Sequence, residues 1–178
     1  MSSSVSSFIR CVRQNHALEH ATMHLLTHSS PSLRLMGRSD WTGFSIYGEV
    51  DTQVALRAAL EGLARLKHSE HWLAVHPRCG TNLTVSALLS GGAVYAVTTL
   101  PIRSRLVRFT AALVALAAAV VVARPLGLVA QRHLTTSADL EGVRVKMVSR
   151  EVWGNMVVHR VMVTCDNQAE SYVLYPAR

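Results

Sequence analysis

Charge is scarce in this chain of 178 residues: 16% are Asp, Glu, Lys or Arg, against 49% that are hydrophobic. Soluble domains usually carry nearer 25% charged residues, so the balance leans toward lipid. Cysteine is sparse too. Cys11, Cys79 and Cys165 form an odd, widely spaced set that does not read as a disulfide framework. The stretch before the first long apolar run lacks the clean apolar core of a secretory signal. There is no phosphate-binding glycine loop, dinucleotide fingerprint or nucleophile elbow, and no internal repeat or low-complexity tract. The formal net charge of +7 comes without a Lys/Arg run and without interleaved basic and aromatic residues. That argues against a nucleic-acid partner and fits contact with anionic lipid headgroups.

What the chain does have is two apolar runs close together, the first uncharged and the second carrying Arg108 near its start, where it can snorkel. Leu83 to Leu100 contains no charged residue, and its length of about 18 residues just spans a hydrocarbon core. Gly91-Gly92 and several Ser and Thr within it favour close helix packing in lipid. A short loop, Pro101-Ile102-Arg103-Ser104-Arg105, leads to a second run from Leu106 to Ala123, which Arg124-Pro125 should end. The expected architecture is an α+β membrane protein in three parts. Residues 1–82 form a small α/β unit, 83–131 a two-helix transmembrane hairpin, and 132–178 a small β module.

The first unit reads as α-β-β-α-β. Val5 to His28 lacks Gly and Pro and has apolar residues at helical spacing, after a solvated serine-rich start. Leu33 to Met36 and Phe44 to Tyr47 read as short strands separated by the turn-rich Gly37-Arg38-Ser39-Asp40. Asp51 can cap a helix running to about Lys67, and Trp72 to Val75 reads as a third strand. In the tail, Val143, Val145 and Met147 alternate with polar residues. Gly154-Asn155 marks a hairpin turn, and Ser171 to Tyr175 reads as a last strand.

The residues that can carry chemistry begin with His16-Ala17-Leu18-Glu19-His20. Histidines four apart on a helix share a side, so both imidazoles can reach one ion. Glu19 sits beside them as a base or further ligand. This is the inverted zinc pattern HxxEH, found in pitrilysin-type peptidases, which need a further downstream glutamate. Glu49, Glu61 and Glu70 are available for that but stand in no recognisable context. His24 and His28 continue the spacing and read better as partly exposed helix histidines. The second feature is His76-Pro77-Arg78-Cys79-Gly80-Thr81-Asn82, placed where the soluble unit meets the first apolar run. Imidazole and thiolate both suit zinc. The expected metal set is His16, His20, His76 and Cys79, with Glu19 catalytic. Four protein ligands would close a structural site, whereas three and a water would leave a catalytic one.

The two motifs together resemble those of the YqhQ-like family of bacterial membrane proteins, described as metal-dependent enzymes of unknown activity. That family carries HGAEH and, tens of residues later, HPRCGTS at the start of a membrane helix. The counterparts here are His16, Glu19 and His20, then His76, Pro77, Arg78, Cys79, Gly80 and Thr81. Ala17-Leu18 replaces Gly-Ala, and Asn82 replaces Ser. The resemblance covers the motifs and their link to an apolar helix. It implies a bound metal and no particular reaction.

The expectation is therefore a membrane-bound zinc-dependent hydrolase acting on a protein or peptide substrate. Its rival is a non-catalytic membrane protein with a structural zinc site, serving assembly or partner binding. A multi-pass protein of the cell membrane is expected. Arg103, Arg105 and Arg108 argue that the loop is cytoplasmic. The lack of a signal segment and the unpaired Cys79 argue for cytoplasmic soluble parts, and that side is taken here.

Overall fold

In the computed structural model, which describes residues 2–165, helices pack on one small antiparallel sheet and continue into a helical hairpin. Helix α1 covers Ser2–Ser29, so the leading serines join the helix. Strands β1 (Met36–Asp40) and β2 (Gly43–Tyr47) form a hairpin, and α2 covers Thr52–Lys67. The Asp51 carboxylate accepts the backbone N–H groups of Gln53 and Val54 at 2.8 and 3.1 Å, which caps α2 as its sequence dictates. Leu18, Leu26, Phe44, Ile46 and Leu66 lie at the centre of the core. Each such side chain contributes roughly 1.5–3 kcal/mol through burial. Gly62 of α2 lets the two helices approach closely, since a Cβ there would meet the Ala21 Cβ at 3.1 Å.

The C-terminal strands do not form a module of their own. β3 (Arg144–Trp153) and β4 (Met156–Thr164) pair across the Gly154-Asn155 turn, and β4 then pairs with β2. The result is one four-stranded sheet of order β1-β2-β4-β3. The reason is burial: Val158 and Val161 of β4 are buried, and Val161 joins the core that Phe44 and Ile46 of β2 already occupy. Trp72 to Val75 is not a strand. His71–Ala74 winds into a short 3-10 turn that buries Leu73 and Ala74 against α1. The final strand expected at Ser171 to Tyr175 lies outside the described residues.

Two further expectations change. Cys11 and Cys165 form a disulfide with a Cα–Cα separation of 5.5 Å, leaving Cys79 as the free thiol. Helices α3 (Gly80–Thr99) and α4 (Arg105–Ala130) do pack as a hairpin. Among the described residues, however, only the segment Arg105–Thr135 is long and apolar enough to cross a membrane, with mean hydropathy 2.4. The Asn82, Gly91-Gly92, Ser, Thr and Tyr95 content of α3 keeps it below that level. Pro125 does not end α4. The helix runs through it to Ala130 and then widens into a π-helical turn, Gln131–Thr135. Proline is tolerated inside long apolar helices of this kind.

Candidate metal site

The site forms where α1 meets the start of α3. His16, Glu19 and His20 lie on one face of α1, and their i, i+3 and i+4 spacing brings the two imidazole centroids to 4.4 Å. Cys79 is the N-cap residue of α3, and its Sγ accepts the Thr81 backbone N–H at 3.4 Å. The Sγ lies 3.3 Å from His16 Nε2. One donor atom each from His16, His20 and Cys79 falls within 4.8 Å of the others, a spread that one ion can span.

Both histidines are held in the tautomer a metal needs. His16 Nδ1 donates to the Thr135 carbonyl at 3.0 Å, and His20 Nδ1 donates to the Ala74 carbonyl at 2.7 Å. Each ring therefore keeps its Nε2 lone pair for a ligand. Burial, with His16 next to it, lowers the His20 pKa to about 3, so its ligating neutral form prevails at ordinary pH. The π-helical turn explains where the His16 partner comes from. It carries the chain past the end of α4 and sets the Thr135 carbonyl against α1.

His76 is placed differently. Its ring centroid lies 5.8 Å from that of His20 and 4.6 Å from that of His24. Its Nδ1 accepts the Arg78 backbone N–H at 3.3 Å, which puts the proton of the neutral ring on Nε2. In this arrangement His76 flanks the three-residue group without joining it. Burial, then the charges of His24 and Arg78, lowers its pKa to about 4. His24 bonds the Val75 carbonyl at 2.9 Å, and His28 is exposed. Glu61 and Glu70 both pair with Arg65, away from the site.

Glu19 is 7% exposed and its carboxylate comes within 4.0 Å of His16 Nε2. Burial raises its pKa from 4.5 to about 7, against the opposing pull of His16. The Ser39 hydroxyl hydrogen-bonds it, and Gly37 leaves room for it: a Cβ on Gly37 would fall 2.0 Å from Glu19 Oε1. Gly37 and Ser39 are therefore site residues that the sequence hid inside an apparent turn. A Gly37→Ala substitution should displace the carboxylate, the flexible partner in that clash. The expected result is an unchanged fold and a Glu19 that no longer titrates near 7, since its carboxylate leaves the buried position that raises it. Circular dichroism and an NMR titration of the Glu19 carboxyl check both halves.

A buried amide ties the second motif to α4. Gln131 is fully buried, its Oε1 accepts the His76 N–H at 2.9 Å, and its Nε2 donates to Asn82 Oδ1 at 2.7 Å. Asn82 in turn donates to the Pro77 carbonyl at 2.8 Å. Gly127 admits Asn82, since a Cβ there would lie 2.3 Å from its Oδ1. Gln131→Ala would leave these groups unpaired at about 1–3 kcal/mol each, so thermal unfolding in mild detergent should begin at clearly lower temperature. The three donors and Glu19 all line one cleft of about 1250 Å³, open to solvent and walled by β1 and residues 76–81.

Fold and site define a mixed α+β protein with a candidate His/Cys metal centre at the foot of an apolar helical hairpin. Residues 11–148 match the family described as a domain of unknown function, DUF6391, and the chain belongs to that family. It is also similar to an uncharacterised protein of Picosynechococcus sp. (strain ATCC 27264 / PCC 7002 / PR-6). The two are 36% identical over 138 residues, covering 72% of this chain and 67% of the relative. No solved structure matches.

Proposed function

We propose that this chain is a membrane-associated zinc-dependent hydrolase that cleaves peptide bonds. The observation that carries the reading is the convergence of His16, His20 and Cys79 on one point, with Glu19 beside it and an open cleft in front. Two nitrogens and one sulfur form a donor set that suits zinc, and three protein donors leave a coordination position for water. Zinc held there supplies a positive charge that polarises a carbonyl and eases deprotonation of water. Glu19 takes the proton from the attacking water and passes it to the departing nitrogen. Water is thus added across the C–N bond and no redox partner is required. Thr135 and Ala74 orient the imidazoles, while Gly37 and Ser39 orient the carboxylate.

Membrane attachment through α4 supports this setting. Only 6% of its apolar window is buried within the protein, unlike the core helix of a soluble domain. Leu83, Leu88 and Tyr95 of α3 are also more than 70% exposed, and we read both helices as lying in lipid. The Cys11–Cys165 disulfide belongs to an oxidising compartment. With Arg103 in the loop and Arg105 and Arg108 in the first turn of α4, it favours a cytoplasmic loop and a site on the opposite side. That reverses the side taken from sequence. The functional test is zinc-loaded protein in mild detergent against a mixture of quenched fluorescent peptides. Cleavage lost on chelation and restored by zinc supports the reading. Stable zinc binding with no cleavage, and no dependence on Glu19, favours a structural clip between α1 and α3.

A further inference from the structure

We propose that the outer edge of β1 is the docking strand for the substrate, an extended acidic peptide that pairs with it along the cleft. This rests on the hydrolase reading above and specifies its substrate. Among the described residues β1 is an edge strand, because the sheet order is β1-β2-β4-β3. Its backbone register follows from the hairpin. Asp40 pairs with Gly43 across the two-residue turn Trp41-Thr42, and a pair directly flanking such a turn exchanges both of its hydrogen bonds. Alternation then makes Arg38–Ser45 and Met36–Tyr47 the other hydrogen-bonded pairs. Gly37 and Ser39 are left with their N–H and C=O groups directed away from β2. No described residue hydrogen-bonds those four groups, and both residues line the cleft that holds His16, His20 and Cys79. A strand with free backbone groups is a template for another extended chain.

The position of this edge matters as much as its freedom. The same two residues that present unpaired backbone to the cleft also hold the Glu19 carboxylate, Ser39 by a hydrogen bond and Gly37 by lacking a side chain. A peptide main chain paired to Gly37 and Ser39 therefore runs directly past Glu19. Charge selects the peptide. Arg34, Arg38 and Arg78 are exposed around the cleft, and no described carboxylate pairs with them. Glu19 is the single acid among the lining residues. Three guanidinium groups without a carboxylate partner among the described residues fit acidic side chains flanking the bond to be cut.

The test measures binding rather than cleavage. The protein is the Glu19→Gln variant of the full chain in mild detergent. The probe is a fluorescent peptide of about eight residues, alternating Val or Thr with Glu, prepared with each amide N-methylated in turn. Pairing predicts a pattern of period two: methylation of every second amide weakens binding about tenfold or more, and methylation of the others has little effect. Arg38→Glu should weaken the acidic peptide severalfold and leave a neutral peptide of the same length unaffected. Binding insensitive to methylation but lost with Arg38→Glu would reduce the cleft to a general anion surface and overturn the proposal. So would period-two loss that persists when β1 is altered by Ser39→Pro in a protein that still folds. The zinc content of each sample separates the two readings. The period-two pattern without bound zinc sinks the hydrolase and keeps the docking strand, whereas bound zinc without the pattern does the reverse.

Discussion

On the proposed hydrolase reading, a Glu19→Gln variant is expected to retain zinc and lose peptide hydrolysis. Glutamine keeps the size of the side chain and its hydrogen bond with Ser39, but it cannot take a proton from water. Removal of a positioned general base typically lowers a rate by about 10²–10⁴-fold, and the full loss is expected here. No other described acid lines the cleft to replace it. The substitution should leave the fold intact, because Glu19 is buried next to His16 with no cationic Lys or Arg partner that would be stranded. The rate in zinc-loaded protein, normalised to measured zinc, decides the matter. A variant that cleaves peptides as fast as the parent would remove Glu19 from the mechanism.

The second large effect is on the metal itself. A His16→Ala/His20→Ala double variant removes two of the three converging donors and should lose zinc entirely. A single thiolate cannot hold the ion against water and detergent buffers. Because His20 is buried and bonded to the Ala74 carbonyl, its removal also costs stability, so zinc content alone could mislead. The control is thermal unfolding with and without added zinc. Ligand that binds the folded state raises the midpoint in proportion to RT ln(1 + [L]/Kd). The parent midpoint should climb with zinc and the midpoint of the double variant should stay flat. His16→Gln, which keeps a polar side chain at the less buried position, should fall between them.

Much of this site was readable because its parts are local. HxxEH sets its own geometry once Val5 to His28 is recognised as helical, and Asp51 announces α2 through a cap that needs no tertiary context. What could not be read was contributed from far along the chain. Thr135 reaches His16 only because the helix passes through Pro125 and ends in a π-helical turn, and a proline in sequence points to termination instead. Gln131 meets His76 across 55 residues with no local pattern to mark it. Gly37 and Ser39 look like turn residues by composition. They become strand because β2 pairs with them, and Gly37 then faces Glu19 at a distance that leaves no room for a side chain. The Cys11–Cys165 bridge spans 154 residues, so spacing carried no signal for it. The apparent third strand, Trp72 to Val75, failed because a short apolar run can as easily bury two side chains from a tight turn.

The apolar hairpin and the candidate site are coupled in this arrangement. Cys79 begins α3, and Thr135 ends the turn that follows α4, so both ends of the hairpin hand a group to His16. Displacing the hairpin would disturb the sulfur ligand and the carbonyl that orients the imidazole together.

The measurement that bears most directly on the central claim is the zinc content of the full chain, purified in mild detergent, by inductively coupled plasma mass spectrometry. The account predicts about one zinc per chain, retained through gel filtration. No stoichiometric metal, even after reconstitution with zinc under conditions that keep the Cys11–Cys165 disulfide intact, would contradict it.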